Sequence, residues 1–408
     1  EMRICLTTIH DGLRPGSIAA LVVGDGVFDG KAHSTAKLLE RQASVIGFET
    51  IGTINRDVHN TRRSFIGPAR RLRSEQILLL RKPAGRSPFT ISVPPYRLWP
   101  YEDVLRLEEI RTVTGAKLIH DTPEGAVVTL ASGAARALKK LTFSQSFEST
   151  TFAAERTWQA ILENGEGASR ARKDPKYAGH GIHDYKGKFY PQLAKSLLNL
   201  ADLDRRSIVL DPYCGSGTVL LEARLNGYRA KGIDLNPLAA KIATAKCGML
   251  DVAPEVAEGL ADGTIATAEA YCKESRMTGG LFGEQLLELE SWFAKPILNK
   301  LLAIRSAIEE VPHSAVRALL SICLSAIVRE VSHQDPLDLR IRRRKSPLRD
   351  AAVLELFRKR AIEALSRHRK FHVVRPRMPW PIGTASVVEG DAREWRTFVD
   401  SDIRPGSI

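Results

Sequence analysis

A glycine-rich turn with acids around it is the part of the chain best suited to hold a ligand. Residues 211–218 read D-P-Y-C-G-S-G-T; they follow the apolar run 207–210 and precede a helical pattern at 219–225. A second apolar run, 229–233, ends in Asp234. Glycines let the backbone approach a ligand, and a helix N-terminus offers free N–H groups to an anionic group. An acid that ends the next strand can accept hydrogen bonds from ribose hydroxyls. The order predicts one half of a nucleotide-binding α/β fold.

The spacing of the small residues limits the kind of nucleotide. A dinucleotide-binding turn has the pattern G-x-G-x-x-G/A, in which the third small residue allows close helix–strand packing. Here Gly215 and Gly217 are followed by Leu220 at the third place. NAD therefore fits poorly. Two interpretations therefore stay open: the turn binds another nucleotide-containing cofactor, or it is a glycine turn that holds no ligand.

Four segments resemble motifs of class I S-adenosylmethionine (SAM) methyltransferases, in the branch that methylates exocyclic amino groups of nucleic acids. The turn at 211–218 resembles motif I, and G-I-D-L-N-P at 232–237 resembles the acidic motif that follows it. H-D-Y-K-G-K-F-Y-P-Q-L at 183–193 resembles motif X. Residues 385–393, which end in G-D-A-R, resemble motif III.

The resemblance implies that SAM is the cofactor and indicates which residues bind it. Asp211 and the glycine turn would hold the methionine end, Asp234 the ribose, and motif III the adenine ring. The implied cofactor-binding residues are Lys188, Phe189, Tyr190, Pro191, Asp211, Pro212, Cys214, Gly215, Ser216, Gly217, Thr218, Asp234, Leu235, Asn236, Asp391 and Ala392.

The resemblance also implies the fold class, which is α/β. We expect a Rossmann-like sheet of the seven-stranded class I methyltransferase type, in permuted order and with a helical insertion. Strand patterns at 18–23, 47–54 and 75–81 and a helical pattern at 33–46 resemble the final third of such enzymes. The back of the catalytic sheet therefore comes first in the chain.

Five segments are predicted along the chain. Residues 1–83 form the back half of the catalytic sheet, with strands five to seven, and 84–175 form a connector or a small accessory region. Residues 176–250 form the SAM-binding half. Residues 251–383 form a helical insertion, for which the resemblance suggests target recognition. Residues 384–408 carry the third strand and motif III.

Motif IV, [D/N/S]-P-P-[Y/F/W], is expected at the end of the fourth strand in this branch. Its acceptor groups draw electron density onto the amino nitrogen, and its aromatic residue stacks on the flipped base. No match follows G-D-A-R. The enzyme could be permuted or incompletely represented, or a partner chain could supply the segment. Alternatively, residues 89–96 form a degenerate fourth strand with Pro94, Pro95 and Tyr96 as catalytic residues, unless they are a Pro-Pro turn in a connector.

Composition favours a polyanionic partner. The 408 residues include 60 Lys and Arg against 47 Asp and Glu, which gives a net charge of +13. Cationic proteins gain affinity for nucleic acid by counterion release. Other basic runs lie at 70–73 and 358–377, and each run could instead be a solvated helix face. The densest run, predicted to contact phosphates, contains Arg340, Arg342, Arg343, Arg344 and Lys345.

The cysteines and the hydrophobic pattern predict a cytoplasmic protein without a membrane or metal. Five scattered cysteines show no C-x-x-C pair, so we expect free thiols in a reducing compartment rather than a metal site or disulfides. No apolar run approaches the length of a membrane span, and no signal peptide opens the chain.

The sequence thus predicts a SAM-dependent methyltransferase of restriction–modification type that acts on double-stranded DNA. The target would be cytosine N4 or adenine N6, and the base stays open because motif IV is unclear. A guanine-N2 RNA methyltransferase is one alternative, since that group carries a similar D-P-x-C-G-S-G-T motif. A catalytically inactive subunit that binds SAM and nucleic acid and needs a partner is another.

Overall fold

The structure is a computed structural model that describes residues 2–24, 26–28, 31–57, 74–83, 86–116, 119–131, 135–150, 152–165, 167, 171–204, 206–274, 284–335, 338 and 340–400. Within these ranges no helix is both long and apolar enough to cross a lipid bilayer. No group of His, Cys, Asp and Glu side chains in the same ranges is arranged to hold a metal ion. All five cysteines are free thiols.

Strands and helices are mixed along the chain, which confirms the predicted α/β class. The helices are α1 (Met2–Gly12), α2 (Thr35–Ile46), α3 (Pro100–Thr114), α4 (Ala135–Leu138), α5 (Trp158–Asn164), α6 (Pro191–Leu200), α7 (Thr218–Leu225), α8 (Pro237–Gly248), α9 (Pro254–Lys273), α10 (Glu284–Trp292), α11 (Lys295–Glu309), α12 (Ser314–Val331), α13 (Val353–Val374) and α14 (Trp395–Asp400). The strands are β1 (Ile18–Gly24), β2 (Gly26–Phe28), β3 (Lys31–His33), β4 (Glu49–Asp57), β5 (Ser74–Arg81), β6 (Arg86–Ser92), β7 (Ile119–Thr122), β8 (Gly125–Ala131), β9 (Ser146–Ser149), β10 (Phe152–Arg156), β11 (Ile208–Asp211), β12 (Arg229–Asp234) and β13 (Ala385–Glu389).

Two compact units divide the chain. One unit contains Glu1–Thr90, Val127–Arg136 and Glu148–Ala154, and the other contains Ile91–Ala126, Ala137–Phe147 and Glu155–Ile408. This division is coarser than the predicted division into five segments, which stays a prediction.

A parallel three-stranded sheet in the second unit carries the glycine turn. β12 lies between β11 and β13 and runs parallel to both. Asp211 pairs with Gly232, and Asp234 pairs with Glu389. The acids that end these strands therefore lie together at the carboxyl ends of the parallel strands. The predicted order of strand, turn, helix and strand is confirmed, as is a further strand before G-D-A-R.

The first unit contains an antiparallel sheet in the order β1-β5-β4. Its strands coincide closely with the predicted ones at 18–23, 47–54 and 75–81. Helix α2, also predicted, begins after Ser34, whose side chain accepts a hydrogen bond from the Lys37 N–H group. Leu6 of α1 and Leu39 and Ala43 of α2 pack against Leu78 and Leu80 of β5 in one buried cluster.

The prediction that residues 89–96 form the fourth strand of the catalytic sheet is wrong. β6 belongs to a separate five-stranded sheet with the order β10-β9-β6-β8-β7. The end of β6 is hydrogen-bonded on both sides: the Val93 N–H donates to the Glu124 carbonyl (3.2 Å), and the Gln145 N–H donates to the Ser92 carbonyl (2.8 Å). No edge is left there to pair with β11.

Residues 251–383 are largely helical, as predicted. Helix α10 ends at Trp292, and a new helix begins at Lys295 with a proline in its first turn. Helices α9 and α11–α13 share one buried core, which includes Ala261, Ile304, Leu320 and Phe357. Most of this core belongs to the insertion, and Met249, just before it, also contributes.

Candidate cofactor site

The glycine turn is fastened to the neighbouring strand. The Cys214 N–H donates to the Ile233 carbonyl at 2.9 Å, and the Gly217 N–H closes the turn on the Cys214 carbonyl at 2.7 Å. Gly217 has a φ of +73°, and a Cβ atom there would lie 2.6 Å from the Cβ of Ala243. Glycine is required because α7 starts in contact with α8 and the backbone is left-handed at this point.

Asp234 links the turn to the end of the second strand. Its Oδ2 accepts from the Gly215 N–H at 2.7 Å, and its Oδ1 accepts from the Asn236 N–H at 2.9 Å. A carboxylate has about four acceptor positions, so both oxygens retain capacity for ligand hydroxyls. Asn236 in turn caps α8 by accepting from the Leu238 N–H. The backbone therefore holds the carboxylate in one orientation before any ligand binds.

A cavity of about 390 Å³, here called the turn cavity, lies against these elements. The predicted residues that line it are Lys188, Phe189, Asp211, Cys214, Gly215, Ser216 and Thr218. Gly187 and Tyr213 also line it, and sequence reasoning missed both although they lie inside motifs X and I. Motifs X and I are thus brought together, and their roles in cofactor binding stay predictions.

The remaining predicted cofactor residues have other positions. Gly217 and Asp234 are not among the described residues that line the turn cavity, although Asp234 contacts Gly215, which does line it. Tyr190 and Pro191 line a neighbouring cavity. Leu235 is 66% exposed beside Asp234. In motif III, Asp391 is held by the Arg393 guanidinium (2.6 Å), which keeps the pKa of that half-buried carboxyl low, at about 2. A contact of motif III with adenine stays a prediction, as do the roles of Pro212 and Ala392.

The electrostatics of the turn cavity suit a ligand with a cationic end. Burial and the nearby Asp234 raise the pKa of Asp211, although the Tyr213 N–H donates to it at 3.2 Å. Burial also raises the pKa of the Cys214 thiol to about 12, so the thiol stays neutral. Two carboxylates at adjacent strand ends attract an ammonium or sulfonium group.

A buried polar network beneath the turn was not predicted. Glu222 on α7 accepts from the Tyr177 hydroxyl at 2.7 Å, and its Oε1 is hydrogen-bonded to His180 Nε2 at 2.8 Å. Lys246 on α8 is fully buried, and its ammonium donates to the Ser216 carbonyl at 2.9 Å. Burial lowers the pKa of Lys246 to about 7, and the charge of Lys188 contributes to this shift. These groups fix the turn from below.

Glu222 should make the stability of the protein depend on pH. Burial raises its pKa from 4.5 to about 7, so the folded state holds an extra proton between these values. The free energy of unfolding should therefore fall as the pH rises from 5 to 7, by on the order of 2 kcal/mol from this group. Glu222→Gln keeps the acceptor without the charge and should remove this component. Urea melts at pH 5, 6 and 7 measure the difference between the two proteins.

The exposed Glu355 on α13 provides the control. Glu355→Gln should follow the wild-type curve at each pH. If Glu222→Gln followed it as well, Glu222 would not titrate in this range.

In the segment 340–345, which was predicted to contact phosphates, Arg343 and Arg344 make contacts within the protein. The Arg343 guanidinium lies 4.5 Å from the centre of the Trp292 ring and donates to the Ser291 carbonyl at 2.8 Å. Arg344 donates to the Ser332 carbonyl at 3.1 Å. Both therefore have structural contacts that sequence alone does not reveal.

The other three residues of the segment are better placed for phosphate. Arg340, Arg342 and Lys345 are exposed. Arg342 lies 3.7 Å from Asp338, yet its side chain is 68% exposed. Such surface pairs contribute about 0–1 kcal/mol, so a phosphate could replace the carboxylate. Their contact with nucleic acid stays a prediction.

The other basic runs differ from this segment. In the run 358–377, Arg358 pairs with Glu269 and Arg369 with Glu258, which fits the alternative of a solvated, ion-paired helix face. The run at 70–73 lies outside the described residues.

The proposed motif IV residues are engaged elsewhere. Pro94 is buried and Pro95 is exposed. The Tyr96 hydroxyl is hydrogen-bonded to Glu163, and burial raises its pKa. The Lys173 ammonium lies 5.4 Å from the centre of the Tyr96 ring. Tyr96 therefore packs within a polar cluster, and its ring is not a free stacking surface.

Comparison with known proteins agrees with the motifs. A model of the family UPF0020, described as RMKL-like, methyltransferase domain, matches residues 182–261. The type II methyltransferase M.MjaII of Methanocaldococcus jannaschii is 42% identical over 77 residues, which are 18% of this chain and 14% of that protein. The type II methyltransferase M.MvaI of Kocuria varians is 25% identical over 181 residues, 42% of this chain and 38% of that protein. The predicted resemblance to methyltransferases is thus confirmed for the segment that carries motif I.

Two further matches are more limited. A tRNA (guanine(10)-N2)-dimethyltransferase of Methanothermobacter thermautotrophicus is 40% identical over 52 residues, 13% of this chain and 16% of that protein. TTHA0409 of Thermus thermophilus, assigned as a DNA modification methylase and complexed with SAM, is 20% identical, with 60% of this chain and 73% of that chain covered. Its TM-score of 0.17 is too low to establish a common fold.

Proposed function

We propose that this chain is a SAM-dependent methyltransferase that modifies an exocyclic amino group of a DNA base, cytosine N4 or adenine N6. The glycine turn carries the proposal: Asp234 holds the Gly215 N–H at 2.7 Å within a segment that matches a methyltransferase family. The chain spans 14% and 38% of the two type II methyltransferases described above. Activity, substrate and cofactor are therefore part of the proposal.

The residues of the cavity would orient the cofactor. SAM supplies an electrophilic methyl group on its sulfonium. Asp211 and the glycine turn would hold the cationic methionine end, and Asp234 would accept from the ribose hydroxyls. Lys246 keeps the Ser216 carbonyl turned inward, away from the ligand. Much of the rate would come from holding the amino nitrogen in line with the methyl group.

Activation of the amino nitrogen needs residues that we do not assign to this chain. In the described residues, β11 pairs with β12 alone, so it is an edge of its sheet. Edge strands readily accept another strand. We propose that a further segment or a partner chain supplies the fourth strand with its acceptor motif.

Two observations favour other functions. The match to a tRNA (guanine(10)-N2)-dimethyltransferase favours an RNA substrate. The missing acceptor motif favours a subunit that binds SAM and nucleic acid without catalysis.

The test is transfer of a tritiated methyl group from SAM. The purified chain should label mixed-sequence duplex DNA, and nucleoside chromatography of the digest should show N4-methylcytosine or N6-methyladenine. Label in a structured RNA instead would indicate the guanine-N2 enzyme. SAM binding in a calorimeter without transfer to either would indicate the non-catalytic subunit. Absence of SAM binding would contradict all three.

A further inference from the structure

A second cavity in the same unit has a volume of about 660 Å³. We call it the basic cavity, and its walls come from residues 175–191 and from α12 and α13. Its volume falls in the range of roughly 300–1,000 Å³ that is typical of ligand sites. Lys188 and Phe189 line both this cavity and the turn cavity, so the two adjoin.

The charge of the basic cavity selects for an anion. Asp184 and Glu363 are the acids among its described lining residues. The cations that line it are Lys176, Lys186, Lys188, Arg329, Arg360 and Arg367. SAM carries a net positive charge, so this surplus of cations does not suit the cofactor.

Three of these cations are available to a ligand. Arg360 pairs with Glu363 at 3.2 Å, and Lys188 donates to the His180 carbonyl at 2.7 Å. Within the described ranges, no carboxylate lies at ion-pair distance from Lys176, Lys186 or Arg367. Unpaired cations that converge on one cavity are typical of phosphate sites.

The absence of a side chain at Gly181 leaves space for Arg367 in the cavity wall. A Cβ atom on Gly181 would lie 3.1 Å from Arg367 Nη1 and 2.9 Å from the Lys176 Cβ. The bare backbone at Gly181 thus gives room for the guanidinium to lie against the motif X segment. Three aromatic side chains, Tyr185, Phe189 and Tyr190, line the same cavity, and Phe189 is 43% exposed. A basic groove with exposed rings is the usual surface for a nucleic-acid strand.

We infer that the basic cavity receives phosphates of the nucleic-acid substrate beside the nucleotide to be modified. Lys176, Lys186 and Arg367 contact the phosphates, and Phe189 offers a stacking surface next to the turn cavity. This inference rests on the proposed function and adds a substrate site on motif X and α13, distinct from the segment 340–345.

The salt dependence of DNA binding tests the inference. For duplex DNA, the logarithm of the affinity falls with the logarithm of salt concentration with a slope of about −0.9 for each phosphate contact. The double variant Lys176→Gln/Arg367→Gln should therefore reduce the magnitude of the slope by about 1.8. Lys186→Gln, at an exposed loop position, should reduce it by about 0.9 without any effect on folding. Fluorescence anisotropy with a labelled duplex between roughly 50 and 200 mM KCl measures each slope.

A control of equal charge comes from the same helix. Arg358→Gln/Arg369→Gln also removes two charges, but these side chains pair with Glu269 and Glu258 outside the cavity. Its slope should equal that of the wild type, and SAM affinity should be unchanged in all variants. If the wild type binds DNA and the cavity variants keep its slope, the cavity is not a phosphate site although the proposed function stands. If the wild type binds no nucleic acid, both proposals fall.

Discussion

Asp234→Ala should weaken SAM binding by at least about 100-fold. The carboxylate holds the Gly215 N–H and the Asn236 N–H, and it would also accept from the ribose. Each hydrogen bond to a charged group contributes about 1.5–3 kcal/mol, and each 1.4 kcal/mol changes the affinity about tenfold. Loss of the ribose contact together with a loosened turn therefore exceeds two orders of magnitude. Isothermal titration calorimetry with SAM measures the change.

Asp262 supplies the matched control, because it is an exposed acid on α9. Asp262→Ala should bind SAM with wild-type affinity. Wild-type affinity in Asp234→Ala would instead remove the assignment of Asp234 to the ribose. Circular dichroism of both variants verifies that a loss of binding does not come from unfolding.

Gly217→Ala should cost about 2–4 kcal/mol of stability and should also impair SAM binding. The added Cβ would lie 2.6 Å from the Cβ and 2.9 Å from the Cα of Ala243, so α7 and α8 would have to separate. Overpacking costs about 1–3 kcal/mol, and a left-handed conformation costs an alanine about 1–2 kcal/mol. Urea denaturation gives the free energy of unfolding.

At Gly259, the same substitution to alanine should raise the stability rather than lower it. It lies within α9, and an added Cβ would meet nothing within 4 Å. Gly259→Ala should therefore stabilise the protein by about 0.5–1 kcal/mol, since glycine is a poor helix former. If both variants gave the same change in stability, contact between α7 and α8 would not explain the glycine at 217.

Local patterns predicted the parts of the fold that depend on neighbours in sequence. The order of strand, turn, helix and strand around 207–234 follows from apolar runs and glycines. The sheet order β1-β5-β4 agrees with strands predicted from the first 83 residues. The five-stranded sheet was not predicted, because the partners of Ser92 and Val93 lie at Gln145 and Glu124, and no local signal specifies such pairing.

In the candidate site too, local sequence patterns predicted the motif residues but not the contacts between residues distant in sequence. Motif spacing identified Asp211, Gly215 and Asp234 before their positions were known. The burial of Lys246 was not predicted, because a lysine in a helical pattern is expected to be exposed to solvent. Only the tertiary fold places its ammonium against the Ser216 carbonyl. Arg343 was predicted to contact phosphate because of its charge. Its guanidinium instead contacts the Trp292 ring and the Ser291 carbonyl, and tertiary packing brings these groups together.

The place of the helical insertion has a consequence for how the chain folds. β12 ends at Asp234 and β13 begins at Ala385, and the two strands pair across this long interval. Pairing of strands distant in sequence is slow when the intervening chain is unfolded, because loop closure must come first. The helices in between share their own core and can form from local contacts. We expect the helical core to fold early and the third strand to join the sheet late, so that the end of the sheet that carries motif III is completed last.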